Sequence, residues 1–183
     1  FNGDGLGGGF PTERGADTPL EFQRQRDKII AAIVALDADV VGLMEIENDG
    51  SGPTSAIADL VQGLNDATAA GTYALIADPA TGVAKPDEPI KTALIYRPAA
   101  VTPIGVSRSD TDPSFERYPV AQTFRLNANG EIVTVLVNHF KSKGCTDATG
   151  LDLDQGDGQS CYNATRVAEA EALLQFIATL QAD

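Results

Sequence analysis

The chain has 183 residues, 43% of them hydrophobic, enough to bury a core and to form one domain or most of a larger one. Its 26 acidic and 13 basic residues give a formal net charge of −13, so it repels a polyanion at long range, and a phosphate substrate needs metal ions or a local basic patch. No apolar stretch approaches the roughly 18 residues of a membrane span, and no basic segment followed by an apolar run opens the sequence, so neither a membrane partner nor a targeting signal is expected.

Residues 1–18 contain Gly3, Gly5, Gly7, Gly8, Gly9 and Gly15 with Pro11, a composition of loops rather than regular elements. A phosphate-cradling loop needs a preceding strand and a following Gly-Lys-Ser/Thr, and neither is present. At Thr18 the pattern changes. Thr18 reads as an N-cap, with Pro19 in the first turn and Glu21 three residues on, the layout of a capping box. Phe22, Arg26, Ile29, Ile30, Ile33, Val34 and Leu36 then recur at helical spacing.

Asp39 to Met44 is a short apolar run that reads as a strand covered on both faces, and it ends in Glu45, Glu47 and Asp49. Binding crevices of open α/β sheets lie at such exits, where a carboxylate such as Glu45 can meet a hard cation. Pro53 to Ala67 reads as a second helix with Ile57, Leu60, Val61 and Leu64 on one face, followed by a strand from Tyr73 to Ala77. After a polar connection comes the strand Thr92 to Tyr96. Val101 to Val106 is expected at a sheet edge, because Pro103 cannot donate to a ladder.

Tyr118 to Leu126 and Glu131 to His139 read as antiparallel neighbours, joined by Asn127-Ala128-Asn129-Gly130 with its Asn-Gly turn signal. The second delivers Asn138 and His139, the sole histidine, at its end. Cys145 and Cys161 flank an irregular loop rich in Gly, Asp and Gln, a placement that suits a disulfide. Such a bridge would add roughly 3 kcal/mol on the chain-entropy model and imply an oxidising compartment. Two cysteines alone do not decide between a bridge and separate thiols. A final helix is expected from Asn163 to Leu180, with Val167, Ala170, Leu173, Leu174, Ile177 and Leu180 inward. The order of elements predicts one α/β unit, a mixed β-sheet with helices packed on its outer face.

Two polar clusters stand at strand ends. Glu45, Glu47, Asn48 and Asp49 form one; Asn138, His139, Lys141, Ser142 and Lys143 form the other. Each alone is weak, since strand-end histidines and acidic turns commonly have structural roles. Together, a carboxylate that can hold Mg²⁺ and an imidazole that can bind or relay protons at an oxygen are what phosphodiester cleavage requires.

The residues also carry a family likeness. Phe1-Asn2-Gly3, Gly8-Gly9-Phe10-Pro11-Thr12, Arg14-Gly15-Ala16, Phe22-x-Arg24-Gln25, Leu43-Met44-Glu45-Ile46-Glu47-Asn48 and Val137-Asn138-His139-Phe140-Lys141-Ser142-Lys143 are its main motifs. Gly156-Asp157-Gly158-Gln159 and Cys161-Tyr162-Asn163 with Arg166 extend it. The chain resembles the endonuclease/exonuclease/phosphatase superfamily, the deoxyribonuclease I-like fold, and most closely the secreted bacterial extracellular nucleases.

That resemblance implies part of a four-layer α/β sandwich, with residues 1–183 as the N-terminal portion of one domain. It implies Glu45 as a catalytic metal ligand, His139 as a catalytic phosphate-contacting histidine, and Arg117 as an arginine on the substrate phosphate. Lys91, Asn138 and Lys143 are expected as neighbouring substrate-binding residues, and Glu88 as a partner that sets the His139 tautomer. Mg²⁺ or Mn²⁺ is the implied cofactor, with Ca²⁺ as an alternative, and nucleic acid the implied substrate in a secreted, extracellular or periplasmic setting.

A leading strand with a metal-site asparagine, a Gly-Asp-Phe-Asn motif, a later aspartate and a terminal Ser-Asp-His are absent from the sequence. The chain is therefore expected to be weakly active or inactive alone and to associate with a missing C-terminal half or with itself through an exposed sheet face. Two other readings are a phosphomonoesterase or phosphoinositide phosphatase of the same fold, and a non-catalytic module binding Ca²⁺ through Asp152, Asp154 and Asp157.

Overall fold

The computed structural model describes Phe1 and residues 9–182; the arm residues Asn2, Gly3, Gly5, Gly7 and Gly8, and Asp183, lie outside the described residues. The elements run α1 (Pro19–Leu36), β1 (Val40–Glu47), α2 (Ala56–Ala67), β2 (Ala74–Leu75), β3 (Ile90–Tyr96), β4 (Val101–Ser109), β5 (Val120–Leu126), β6 (Ile132–Val137), a 3-10 turn (Gly150–Asp152) and α3 (Asn163–Ala182).

The start of α1 has the predicted Thr18 cap, with the Glu21 return bond displaced by one residue from the capping-box pattern. Thr18 Oγ1 accepts from Glu21 N–H at 3.2 Å, and Glu21 Oε2 reaches back to Asp17 N–H at 3.0 Å. Ile30 and Ile33 of α1 pack with Ile57, Leu60 and Leu64 of α2 and with Ala93 and Ile95 of β3. Arg26 belongs to the stripe by position but not by chemistry. Its Nε donates to Asp59 Oδ2 at 2.8 Å and its Nη2 to Oδ1 at 3.1 Å, a two-point pair that ties α1 to α2.

The strands form two sheets, ordered β1-β3-β2 and β4-β5-β6, and every ladder is antiparallel. The α/β class is as expected, but the single mixed sheet is replaced by two antiparallel ones. Along β3 the side chains alternate: Ala93 and Ile95 face the helices, whereas Leu94 joins Val101, Val120, Phe124 and Val137 in a second core between the sheets. The molecule is thus layered as helices, sheet, sheet. β4 is the edge strand predicted from Pro103, and the Asn-Gly turn joins β5 to β6 with Gly130 at a φ of +77°.

The run Val40–Met44 is packed on both faces, with Val41 and Leu43 on the helix side and Val40 on the side of the second sheet, but among the described residues β1 pairs only with β3, and Met44 is exposed at its end. The most buried face of α3 is not centred on the stripe expected from the sequence: Glu169, Ala172 and Phe176 are buried, Ala170, Leu173, Ile177 and Leu180 are half-buried, and Val167 is 49% and Leu174 67% exposed.

The rotation of α3 has a local cause. Asp152 accepts from Thr165 N–H at 2.9 Å and from Thr165 Oγ1 at 2.6 Å, and Arg166 donates to the carbonyls of Cys161 and Gln159, each at 2.8 Å. These bonds fix the first turn with the 165/169/172/176 face inward. The same region contains the Cys145–Cys161 disulfide, so the two cysteines are paired.

Candidate active site

Glu45 does not stand beyond the end of its strand, as the sequence suggests, but in a bulge within it. The register of β1 against β3 passes from Leu43↔Ala93 to Ile46↔Lys91, so Met44 and Glu45 oppose Thr92 alone. Glu45 takes a φ of +58°, a left-handed conformation costly for a residue with a Cβ. The backbone around it is tied from the outer edge: the Phe1 amino nitrogen donates to Glu45 O, and Glu47 N–H donates to Phe1 O at 3.0 Å. The bulge turns the Glu45 carboxylate outward, 66% exposed.

His139 lies two residues past β6, in the neighbouring sheet. Its Nε2 stands 3.8 Å from Glu45 Oε1, so the two polar clusters, far apart in sequence, meet in space. That separation is too long for a hydrogen bond. Burial is the main influence holding the His139 pKa below its usual value, and the Arg117 charge acts in the same direction. The carboxylates of Glu45 and Glu88 offset part of this, and Arg14 adds to it. The imidazole is therefore neutral at pH 7. Its Nδ1 is buried with no hydrogen-bond partner among the described residues.

Arg117 sits behind this segment rather than in front of it. It is 9% exposed, pairs with Glu88 Oε1 at 3.3 Å, and donates to the carbonyls of His139 at 3.4 Å and Phe140 at 3.5 Å. Glu88, expected beside the imidazole, is engaged by Arg117 instead, because the guanidinium offers a charged donor that a neutral ring does not.

Lys91 is not at a substrate surface. It is fully buried, with Nζ donating to Asp78 Oδ2 at 2.7 Å and to Gly50 O at 2.6 Å. Its strand position between Ile90 and Thr92 places it in the core, where an ammonium must be paired. Asn138 is half-buried beside His139, and Lys143 is exposed at the head of the disulfide loop.

Of the polar residues near Glu45, Asn48 and Asp49 shape the turn. Asn48 Nδ2 donates to Glu88 O at 2.9 Å, and Asp49 Oδ2 accepts from Ala56 N–H at 2.7 Å at the start of α2. Burial pushes the Asp49 carboxyl above its usual pKa. In the disulfide loop, Asp152 is spent on Thr165, while Asp154 and Asp157 each accept from a backbone N–H two residues on. Among the described residues no three His, Cys, Asp or Glu side chains group as a metal site. Glu45 is therefore grouped with no two further ligating side chains, and the described residues do not fit a complete Mg²⁺, Mn²⁺ or Ca²⁺ centre.

One residue near the site carries no signal in the sequence pattern: Glu169 is an acid on a helix whose apolar positions draw attention elsewhere. Arg14 belongs to the Arg14-Gly15-Ala16 motif but has no role assigned from sequence; it is an exposed loop cation whose charge reaches His139 only in three dimensions.

No family model and no curated protein matches this chain. Among solved structures it matches the human nocturnin catalytic domain with bound sulfate anion, at 17% identity and a TM-score of 0.50. The match covers 87% of this chain and 53% of that one, so the chain spans about half the length of the nocturnin domain. Nocturnin's catalytic domain has the endonuclease/exonuclease/phosphatase fold. The likeness establishes an α/β fold of that kind for this chain.

Proposed function

We propose that the protein containing this chain hydrolyses phosphodiester bonds of nucleic acid, as a secreted nuclease, with Glu45 and His139 side by side at the scissile phosphate site. The observation that carries this reading is the 3.8 Å approach of Glu45 Oε1 to His139 Nε2 across two sheets. Hydrolases use this fold, which supports the coarse assignment. Sulfate, an analogue of phosphate, accompanies the nocturnin domain.

In this reading the neutral His139 donates one ring N–H to a phosphoryl oxygen, and the Arg117 charge behind it favours negative charge in front. Asn138 and Lys143 flank the substrate backbone. Glu45 supplies one carboxylate toward a divalent cation, whose remaining ligands lie outside the described residues, so no step is derived through it. The Cys145–Cys161 disulfide supports an oxidising compartment, and among the described residues no helix is long and apolar enough to cross a membrane. Residues 1–183 are read as the N-terminal portion of the domain, completed by a C-terminal half or a second copy on the exposed sheet face.

The test is plasmid cleavage by the full-length protein with Mg²⁺ present. Glu45→Ala and His139→Ala are each expected to lower the rate by about 10²-fold or more. Cleavage at the wild-type rate by Glu45→Ala overturns the reading.

A further inference from the structure

Three consecutive residues after β6, His139, Phe140 and Lys141, have their main-chain polar groups held by buried charged side chains. Arg117 donates to the first two carbonyls, and Glu169 Oε2 accepts from Lys141 N–H at 2.8 Å. Glu169 is 0% exposed on α3, and its Oε1 is buried with no hydrogen-bond partner among the described residues. An acid so placed destabilises the helix packing unless it holds something, because its desolvation is only half compensated.

We propose that Glu169 is a positioning residue that, with the Glu88-paired Arg117, clamps residues 139–141 and so fixes the His139 ring beside Glu45. The proposal rests on the reading of His139 as a phosphate-contacting group. Arg117 grips the carbonyl side of the segment and Glu169 the amide side, so the chain is held from two directions. The frame behind Glu169 is itself braced. Asp152 locks Thr165, one helical turn before Glu169 on the same face, and Arg166 reaches the Cys161 and Gln159 carbonyls beside the disulfide. Lys141 Nζ lies 4.6 Å from the Tyr162 ring centroid, a second tether on the same residue. Glu169 is thereby held inward on α3, while Val167 and Leu174 are left exposed.

The experiment uses NMR on the isotopically labelled chain, in which His139 gives the single imidazole signal. Wild type, Glu169→Leu and Glu169→Gln are compared for hydrogen exchange at the Lys141 amide and for the position and width of the His139 ring signal. Glu169→Leu keeps the volume but has no acceptor, and is expected to speed Lys141 exchange about tenfold or more and to shift and broaden the ring signal. Glu169→Gln keeps an acceptor oxygen and is expected to hold both near wild type.

An unchanged ring signal in Glu169→Leu overturns the proposal, as does failure of Glu169→Gln to restore it. Should Glu169→Leu not fold, Glu169→Asp, with its carboxylate withdrawn by one methylene, is read by the same criteria. Neither measurement depends on cleavage, so a nuclease reading that fails at Glu45→Ala is told apart from a clamp that fails here.

Discussion

Gly42 on β1 faces Val137 on β6 so closely that a Cβ on the glycine would stand 2.7 Å from Val137 Cγ2. This is where the two sheets meet, three residues before Glu45 on one strand and two before His139 on the other. A β-branched side chain has little freedom to move aside. Gly42→Ala is therefore expected to cost about 1–3 kcal/mol by overpacking, read by urea unfolding. Val137→Ala placed in the same chain should recover part of it, and the double-mutant cycle gives the coupling.

Lys91 separates a structural role from a substrate role. Lys91→Met removes the donor to Asp78 Oδ2 and Gly50 O and leaves both unanswered. The expected cost is about 3 kcal/mol in denaturant unfolding. In the folded fraction KM for a nucleic acid substrate should stay at the wild-type value, whereas a lysine on the substrate raises KM when lost.

Glu169 gives a pH dependence with a definite sign. Burial pushes its pKa up; the Lys141 N–H and the Arg117 and Lys141 charges offset this, and Glu116 adds to it. The folded state therefore keeps this proton to higher pH than the unfolded chain does. Its stabilising contribution is complete below the free carboxyl value and is lost as pH rises through the folded value. Glu169→Gln is expected to melt above wild type at pH 7, with the difference closing as the pH is lowered toward about 4.5. A difference that widens on acidification contradicts the burial argument.

The disulfide closes a loop of sequence separation 16. Replacing both cysteines by serine is expected to lower stability by about 3 kcal/mol, and reductant should lower the wild-type Tm but leave the double variant unmoved.

Where residue type and local physics coincide, the sequence is readable. The Thr18 cap, the Asn-Gly hairpin and the edge position of Pro103 each follow from backbone chemistry within a few residues. Glu45 and His139 were legible as candidates from strand-end position and family likeness. What was hidden depends on long-range partners. The bulge that places Glu45 needs the β1–β3 register, and the burial of Lys91 needs Asp78. The inward face of α3 is set by Asp152 and Arg166, so apolar spacing alone misses Glu169 and places Val167 and Leu174 inward when they are exposed. Arg117 reads as a cation for phosphate until its carbonyl and Glu88 partners are seen.

Under the proposed function, the inward turn of the basic residues limits how a nucleic acid would bind. Lys91, Arg117 and Arg166 are each spent on internal acceptors, which among the described residues leaves Arg14, Lys141 and Lys143 as the cations flanking His139 for a strand's phosphates. Three phosphate contacts displace few condensed counterions. The affinity is then expected to fall with added salt along a shallow line, with a log–log slope of about −3. A protein built this way would keep working on its substrate in brine that strips more basic nucleases from theirs.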